Sequence, residues 1–525
     1  FQTSRVITST YIFLDDVILQ SPTGSPPPGW PTGPINGQIL DYGMDPDIVN
    51  DPTWGPQLKD ALRSIPTMSL VTDLPNLFNA STGIYVNASK TGEAWERPTS
   101  LELIYPEDAS GPGFPDGADD GFQINAGIRI RGGFSVTGSN PKHAFRVFFR
   151  SDYGYDKLRY PLFGDEGVDE FDNIDIRTTQ NYSWAFQGDS RNTFLRDVFA
   201  RDVQREQGKP YSRSRYYHLY INGQYWGVYQ TEERPEASYA ASYFGGDKES
   251  YDVIKAIGTG SYQIECTDGN FDAYYRLWQA AQAGFASAEA YYAVQGMDPD
   301  GTRNPAKERL LDVDNLIDYM IGIFYSGDLD APISNFLGND QVNNFFTVYN
   351  RENPDGFKFF RHDGEHTLNT GGSDRTGPFL ASDLNLFVFF NPQTLHQKLT
   401  ANADYRARFA DRVYANVFND GPLTLNNAQA TINRRAAEMA TSMIGESARW
   451  GDAKRTTPYT YATWQNAVND IRNWMVGRLE TVVAQLQADG WYPLTQAPQF
   501  RIGGTPQHGG QVAYGAQLTA YNPGG

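Results

Sequence analysis

Tyr216-Tyr-His-Leu-Tyr-Ile-Asn-Gly-Gln-Tyr-Trp-Gly-Val-Tyr229 is the stretch that decides the fold. Its aromatic and β-branched runs flank Asn222-Gly223, a dipeptide that accepts the left-handed backbone of a two-residue turn. The stretch therefore predicts a hairpin of Tyr216–Ile221 and Tyr225–Tyr229. Just upstream, Asn192–Gln207 carries Phe194, Leu195, Val198 and Phe199 at helical spacing. Further back, Ala126–Arg131 and His143–Arg150 alternate basic and apolar residues, which predicts strands with arginines on one face and a core on the other. Ser69–Thr72, Gly83–Val86 and Ser100–Tyr105 are shorter strand-like runs bounded by turn residues. Downstream, helical patterns cover Asp272–Ala288 and Asp312–Tyr325, and a strand pair covers Asn344–Tyr349 and Gly356–Arg361. Helices follow around Tyr405–Phe418, Thr424–Glu446 and Tyr461–Ala488, the last stopping at Gly490 with Pro493 beyond. Strands first and helices later, with little βαβ alternation, indicate an α+β fold with a mixed or antiparallel sheet.

The net charge of −19 repels phosphate backbones and anionic lipids, so nucleic acid is excluded as a bulk-charge partner. The longest apolar stretch, Leu384–Phe390, falls far short of the ~20 residues a spanning helix needs, so no membrane insertion is expected. Cys266 is the single cysteine and can form neither an internal disulfide nor a thiolate zinc site. That avoidance fits a bacterial secreted, extracellular or cell-surface protein held together by aromatic packing. The start at Phe1 and the glycine-spaced stretch Phe500–Gly525 read as the edges of neighbouring modules. Residues 1–65 are turn-rich, and Asp45, Asp47 and Asp51 form an acidic cluster, either a Ca²⁺ site or a solvated loop.

Four constellations carry candidate chemistry. Arg361-His-Asp-Gly-Glu-His-Thr-Leu368 emerges from a strand end, where Asp363 and Glu365 suit a hard cation such as Mg²⁺. An alternative set, His362 and His366 with a carboxylate, suits zinc or iron. Gly327-Asp-Leu-Asp-Ala-Pro332 puts Asp328 and Asp330 at a helix C-terminus, where they oppose the dipole unless a cation or an arginine compensates. The third, Arg129–Lys142, has the glycines of a phosphate loop but Ser139 where the lysine belongs, so a Walker A is rejected. What remains is a glycine- and hydroxyl-rich connection between two arginine-bearing strands. The fourth is Gly227–Pro235, from which Glu232, Glu233 and Arg234 leave the hairpin.

In chain order these pieces resemble the CotH kinase-like family of atypical secreted kinases, from about Pro66 to Leu399. The resemblance is carried by Ile128-Arg-Ile-Arg-Gly-Gly, Pro141-Lys-His-Ala-Phe-Arg-Val, Tyr160-Pro-Leu-Phe163, the Asn-Gly-x-Tyr-Trp-Gly-x-Tyr hairpin with Glu233 four residues on, and Phe359-Phe-Arg-His-Asp363. Glu446-Ser-Ala-Arg-Trp-Gly-Asp452 and Gly490-Trp-Tyr-Pro493 look like the larger multidomain members, where lamin-tail and chitobiase-like β-sandwich modules flank the kinase-like domain. The resemblance implies ATP and Mg²⁺ as cofactors and transfer of phosphate to protein Ser or Thr. By position, Lys142 matches the lysine beside the phosphates, with Arg131 and Glu233 in the nucleotide-binding set. Asp330 best matches the catalytic Asp, Asp328 being the other candidate, and Asp363 matches the metal Asp, with Glu365 beside it. Three departures stand out: His362 replaces a usual Trp, Gly364 replaces a bulkier residue, and Ile333–Gln341 is inserted before Asn343-Asn344.

The expected organisation is an extended N-terminal linker or end of a preceding module (1–65), a kinase-like domain (66–400), a C-terminal helical subdomain (401–495) and the start of a β-sandwich (496–525). The favoured function is an extracellular Mg²⁺-dependent phosphotransferase acting on protein substrates. The alternative is a non-catalytic structural or binding module that meets neighbouring surface modules. A transition-metal hydrolase built on His362, Asp363, Glu365 and His366 is the third class.

Overall fold

Asn222 and Gly223 both take the left-handed conformation that the hairpin requires. The strands they join belong to a closed barrel. In a computed structural model that describes residues 7–107, 110–114, 120–258, 260–369, 373–507 and 511–522, seven strands form it. They are Thr67–Val71 (β1), Arg97–Ile104 (β2), Phe122–Arg131 (β3), Ala144–Phe148 (β4), Asn173–Arg177 (β5), Tyr216–Ile221 (β6) and Gln224–Glu232 (β7). Their order is β1-β2-β3-β4-β5-β7-β6, and a parallel pairing of β6 with β1 closes the ring. Alternation then sorts the side chains. Leu101, Phe145, Val147, Ile174, Ile176 and Leu219 fill the interior, while Arg129, Arg131 and Arg146 stand on the outer face. Gly83–Val86 is not a strand. Its Ile84 and Tyr85 N–H groups donate to Asn76 and Leu77 carbonyls of the adjoining short helix instead of to a neighbouring strand.

A second, antiparallel sheet follows, made of Tyr251–Ala256 (β8), Ile264–Asp268 (β9), Phe345–Asn350 (β10) and Lys358–Arg361 (β11) in the order β9-β8-β10-β11. Its companion helices are Arg196–Glu206 (α1), Val313–Ser326 (α2), Ala403–Val417 (α3), Leu425–Met439 (α4), Ser442–Trp450 (α5), Tyr461–Met475 (α6) and Arg478–Ala488 (α7). The α+β class holds. Each of the two longest expected helices is broken, one after Met439 and one at Val476-Gly477. The breaks are packing-driven. Separation from α4 lets α5 dock on β7, and the turn before α7 lets buried Arg478 donate to the Phe324 and Tyr325 carbonyls at the end of α2.

Residues ahead of β1 are built into the same core. Trp30 meets Tyr42 edge-to-face and lies tilted against Trp226, and Arg449 of α5 donates to the Asp41 carbonyl at 2.7 Å. Asp45 caps the helix Pro46–Val49, and Asp51 accepts from the Thr53 and Trp54 amides, so these carboxylates serve local turns. At the other end, Gln499–Ile502, Thr505–Pro506 and Leu518–Tyr521 pair as a small antiparallel sheet, while Gly509, Gly510, Gly524 and Gly525 lie outside the described residues. No helix among the described residues is long and apolar enough to cross a membrane.

Candidate functional site

The outer face of the barrel near the ends of β3, β5 and β7 meets the end of β11 and the first turn of α1. Period-two alternation puts Asp175 and Arg177 of β5 on that face, beside Arg131 of β3 and Glu232 of β7. Arg177 is the hub. Its guanidinium reaches Asp363, Glu365 at 3.2 Å, Glu232 at 3.4 Å and Asp197 at 3.7 Å. Asp363 itself leaves β11 in the left-handed conformation, φ +53°, which aims its carboxylate back over the barrel. Burial pushes that carboxyl up, but Arg177 outweighs it and holds Asp363 at about 2, ionised at any working pH. Glu365 accepts from the Gln180 and Asn181 amides and the Asn181 side chain, so its oxygens are spoken for; burial still raises it to about 6.

Gly364 sits between these two carboxylates because α1 comes so close: an added Cβ would lie 2.6 Å from Cβ of Ala200. Its N–H donates to Asp197 at 2.8 Å, which fastens the loop to the helix. The departure from a bulkier residue at this position is thus matched to a tight loop-helix contact.

Asp328 and Asp330 divide their roles. Asp328 is fully buried, paired with equally buried Arg361 at 2.5 Å, so an arginine supplies the compensation that its place at the end of α2 demands. Asp330 stays half-open. Its Oδ1 accepts from Ser334 and its Oδ2 from Asn343 and Asn344, each at 3.0 Å. Burial drives its pKa up to about 7, the bonds from Ser334 and Asn343 pull the other way, and the charges of Asp328 and Asp363 raise it again. A carboxylate poised near neutrality beside one that is always ionised is the division of labour proton transfer needs.

The other expected residues are placed as follows. Arg131 lies on the charged face, 2.7 Å from Asp175 and 3.5 Å from Glu232. Lys142 points the other way, toward α5, where its buried ammonium is 2.6 and 2.8 Å from the Glu446 oxygens and donates to the Val228 carbonyl. Glu233 projects to the opposite side of β7 from Glu232, bonds Arg213 and Tyr243, and lines a separate hollow with Phe171 and Tyr239. The structure thus brings Asp330, Asp363, Glu365 and Arg131 to one region and gives Lys142 and Glu233 partners of their own. Arg177 escaped the sequence reading, and so did the pairings of Glu232 with His362 and of Glu446 with Lys142. The alternation Asn173-Ile-Asp-Ile-Arg177, the same signal as in β3 and β4, marks Arg177.

The two histidines do not converge. His362 donates from Nδ1 to Glu232 at 3.0 Å and accepts from Arg131 on Nε2, whereas His366 meets the Tyr182 hydroxyl at 2.6 Å. Among the described residues, no three His, Cys, Asp or Glu side chains are grouped as a metal ion requires. The imidazole-metal hydrolase is therefore unsupported. A hard cation is a different case, since Mg²⁺ is held by one or two carboxylates with water and substrate phosphate completing the shell. Asp363, whose side chain is 32 % exposed, has one oxygen that no described residue engages, and Asp330 lies within its electrostatic reach. Arg131 and Arg177 stand beside them, each paired with carboxylates of the same face. The donor set fits.

The family model described as CotH kinase protein matches residues 128–482, about two thirds of the chain and inclusive of every residue in this site. No curated protein matches the sequence.

Proposed function

The chain belongs to the CotH kinase family, and on that footing we propose that it is an extracellular phosphotransferase using ATP and Mg²⁺ to phosphorylate Ser or Thr of proteins. The proposal includes a bacterial secreted or cell-surface setting, a kinase-like arrangement of barrel and helical half, and a β-sandwich begun by the sheet at Gln499–Tyr521. The observation that carries it is Asp330, held by Ser334, Asn343 and Asn344, lifted by burial to about 7 and within electrostatic reach of ionised Asp363. Bound MgATP would supply the transferable phosphoryl group and a neutralising charge. Asp363 would hold the cation, and Arg131 and Arg177 would offset phosphate charge. Asp330 orients the acceptor hydroxyl and takes its proton as the new P–O bond forms and the bond to ADP breaks. Such transfer depends on positioning and charge more than on covalent help from the protein.

The test is transfer of labelled γ-phosphate to a serine-rich protein acceptor. Asp330→Asn lowers the rate roughly 100- to 10,000-fold, the range for loss of a general base. One observation favours the second reading, a non-catalytic binding module: the Asp363 carboxylate is already paired with the Arg177 guanidinium. On that reading the wild type transfers no phosphate above the level of Asp363→Ala.

A further inference from the structure

The insertion that follows Asp330 is a compact loop. Ile333 bridges to Val342, the Ser334 amide donates to the Gln341 carbonyl, and Arg375 clamps the loop by donating to the Ile333 carbonyl and to Asn339. The loop is tied to the site as well as to itself, because the Ser334 hydroxyl donates to the Asp330 carboxylate. Two residues further on, Phe336 is 56 % exposed. Its ring lies 4.5 Å from that of His366, and His366 lies 5.2 Å from Tyr182, so three rings form a shelf that begins at the solvent and runs inward.

The geometry points to an acceptor-selecting role for this shelf. We propose that Phe336, backed by His366, receives an apolar side chain of the acceptor polypeptide close in sequence to the Ser or Thr that Asp330 deprotonates. The inference rests on the phosphotransferase reading and adds the class of acceptor. The occupant is taken to be the acceptor rather than the nucleobase because Phe336 belongs to the loop that holds Asp330, the group the hydroxyl must approach. The phosphate-balancing arginines, Arg131 and Arg177, project instead from the barrel strands. An exposed aromatic on the loop whose Ser334 bonds Asp330 supplies contact area at little entropic cost, which suits selection between apolar and polar neighbours.

The experiment uses the full chain as wild type, Phe336→Ser and Phe336→Leu. The probes are two labelled peptides with a single Ser, identical except for Leu or Asp two residues beyond it. Steady-state transfer gives the KM for each peptide and for ATP, and fluorescence anisotropy gives peptide binding independently of turnover. The wild type is expected to prefer the Leu peptide by about tenfold or more, the usual yield of one apolar contact. Phe336→Ser should erase that preference, and Phe336→Leu should restore most of it. ATP KM and melting temperature should stay at the wild-type values in both variants. A change in ATP KM without a change for the peptide would assign the shelf to the nucleobase and overturn the inference. Equal affinity of wild type and Phe336→Ser for both peptides would overturn it too. If the wild type transfers no phosphate, the catalytic reading fails, and anisotropy still decides whether Phe336 selects an apolar segment.

Discussion

Lys142 and Glu446 form a buried ion pair across 304 positions of sequence, and through it the barrel is fastened to α5. Burial lowers the Lys142 amine to about 8 and raises the Glu446 carboxyl, each shift partly offset by the partner's charge. The Glu446 carboxylate also accepts from the Val228 amide at 2.7 Å, so the pair is knitted into the backbone of β7.

Breaking this pair from one side leaves a buried charge without compensation. Lys142→Met or Glu446→Leu alone should cost about 3–5 kcal/mol, whereas the double replacement should cost far less and be close to neutral. Urea denaturation of the four proteins measures the coupling. Additive losses would contradict the pairing.

Gly227, in the middle of the decisive hairpin, is fixed by the same contact. At φ +103° an added Cβ would stand 2.5 Å from Oε2 of Glu446 and 2.8 Å from Nε1 of Trp450. Backbone strain and overpacking together predict a loss of about 2–5 kcal/mol for Gly227→Ala. A loss under half a kilocalorie would mean that α5 does not sit against β7 as described.

Much of the architecture was legible in the sequence because local rules and packing agree there. The Asn222-Gly223 turn, the arginine-bearing strands and the helix that ends at Ser326 all follow from periodicity and turn chemistry. Even the demand of Asp328 for a compensating charge was readable, and Arg361 answers it. What was not legible is set by long-range packing. Nothing local to Glu446 or Lys142 announces the other. Closure of the sheet through β6 and β1 depends on a parallel register that no hairpin signal encodes. The helix break after Met439 has no Gly or Pro to mark it, and the neighbours Glu232 and Glu233 part company only once β7 has two distinct environments. At the site, Asp363 and Asp330 were readable as strand-end and helix-end carboxylates; alternation marks Arg177 as a strand residue, but its role as partner of four carboxylates is set only by the fold.

Asp330 predicts a pH dependence of stability with a definite sign. Its carboxyl binds a proton more tightly in the native protein, at about 7, than in the unfolded chain, at 3.8. Its contribution is therefore fully present below about 3.8 and lost as pH rises to about 7, a change on the order of 4 kcal/mol. Asp330→Asn removes the titration. The stability difference between Asp330→Asn and wild type, from urea curves at several pH values, should grow in favour of the variant between about pH 4 and 7. A flat difference would show that Asp330 is not buried as described.

The same group sets the rate profile. With Asp330 as the base, kcat for phosphate transfer should climb tenfold per pH unit below about 7 and level off above it. Ser334→Ala removes a hydrogen bond that favours the ionised form, so the midpoint should move to higher pH. A midpoint that moves down, or no limb at all between pH 5 and 8, would remove Asp330 from the chemistry.

The central claim is that Asp363 and its surroundings hold MgATP, and thermal unfolding of the wild type and Asp363→Ala with and without MgATP tests it most directly. A ligand at about 100 times its dissociation constant adds ~2.7 kcal/mol to the native state. The account predicts a clear rise in melting temperature for the wild type with MgATP and none for Asp363→Ala, whose fold remains intact because the Asp363 side chain lies at a strand end and is 32 % exposed. Wild-type curves that coincide with and without millimolar MgATP would contradict it.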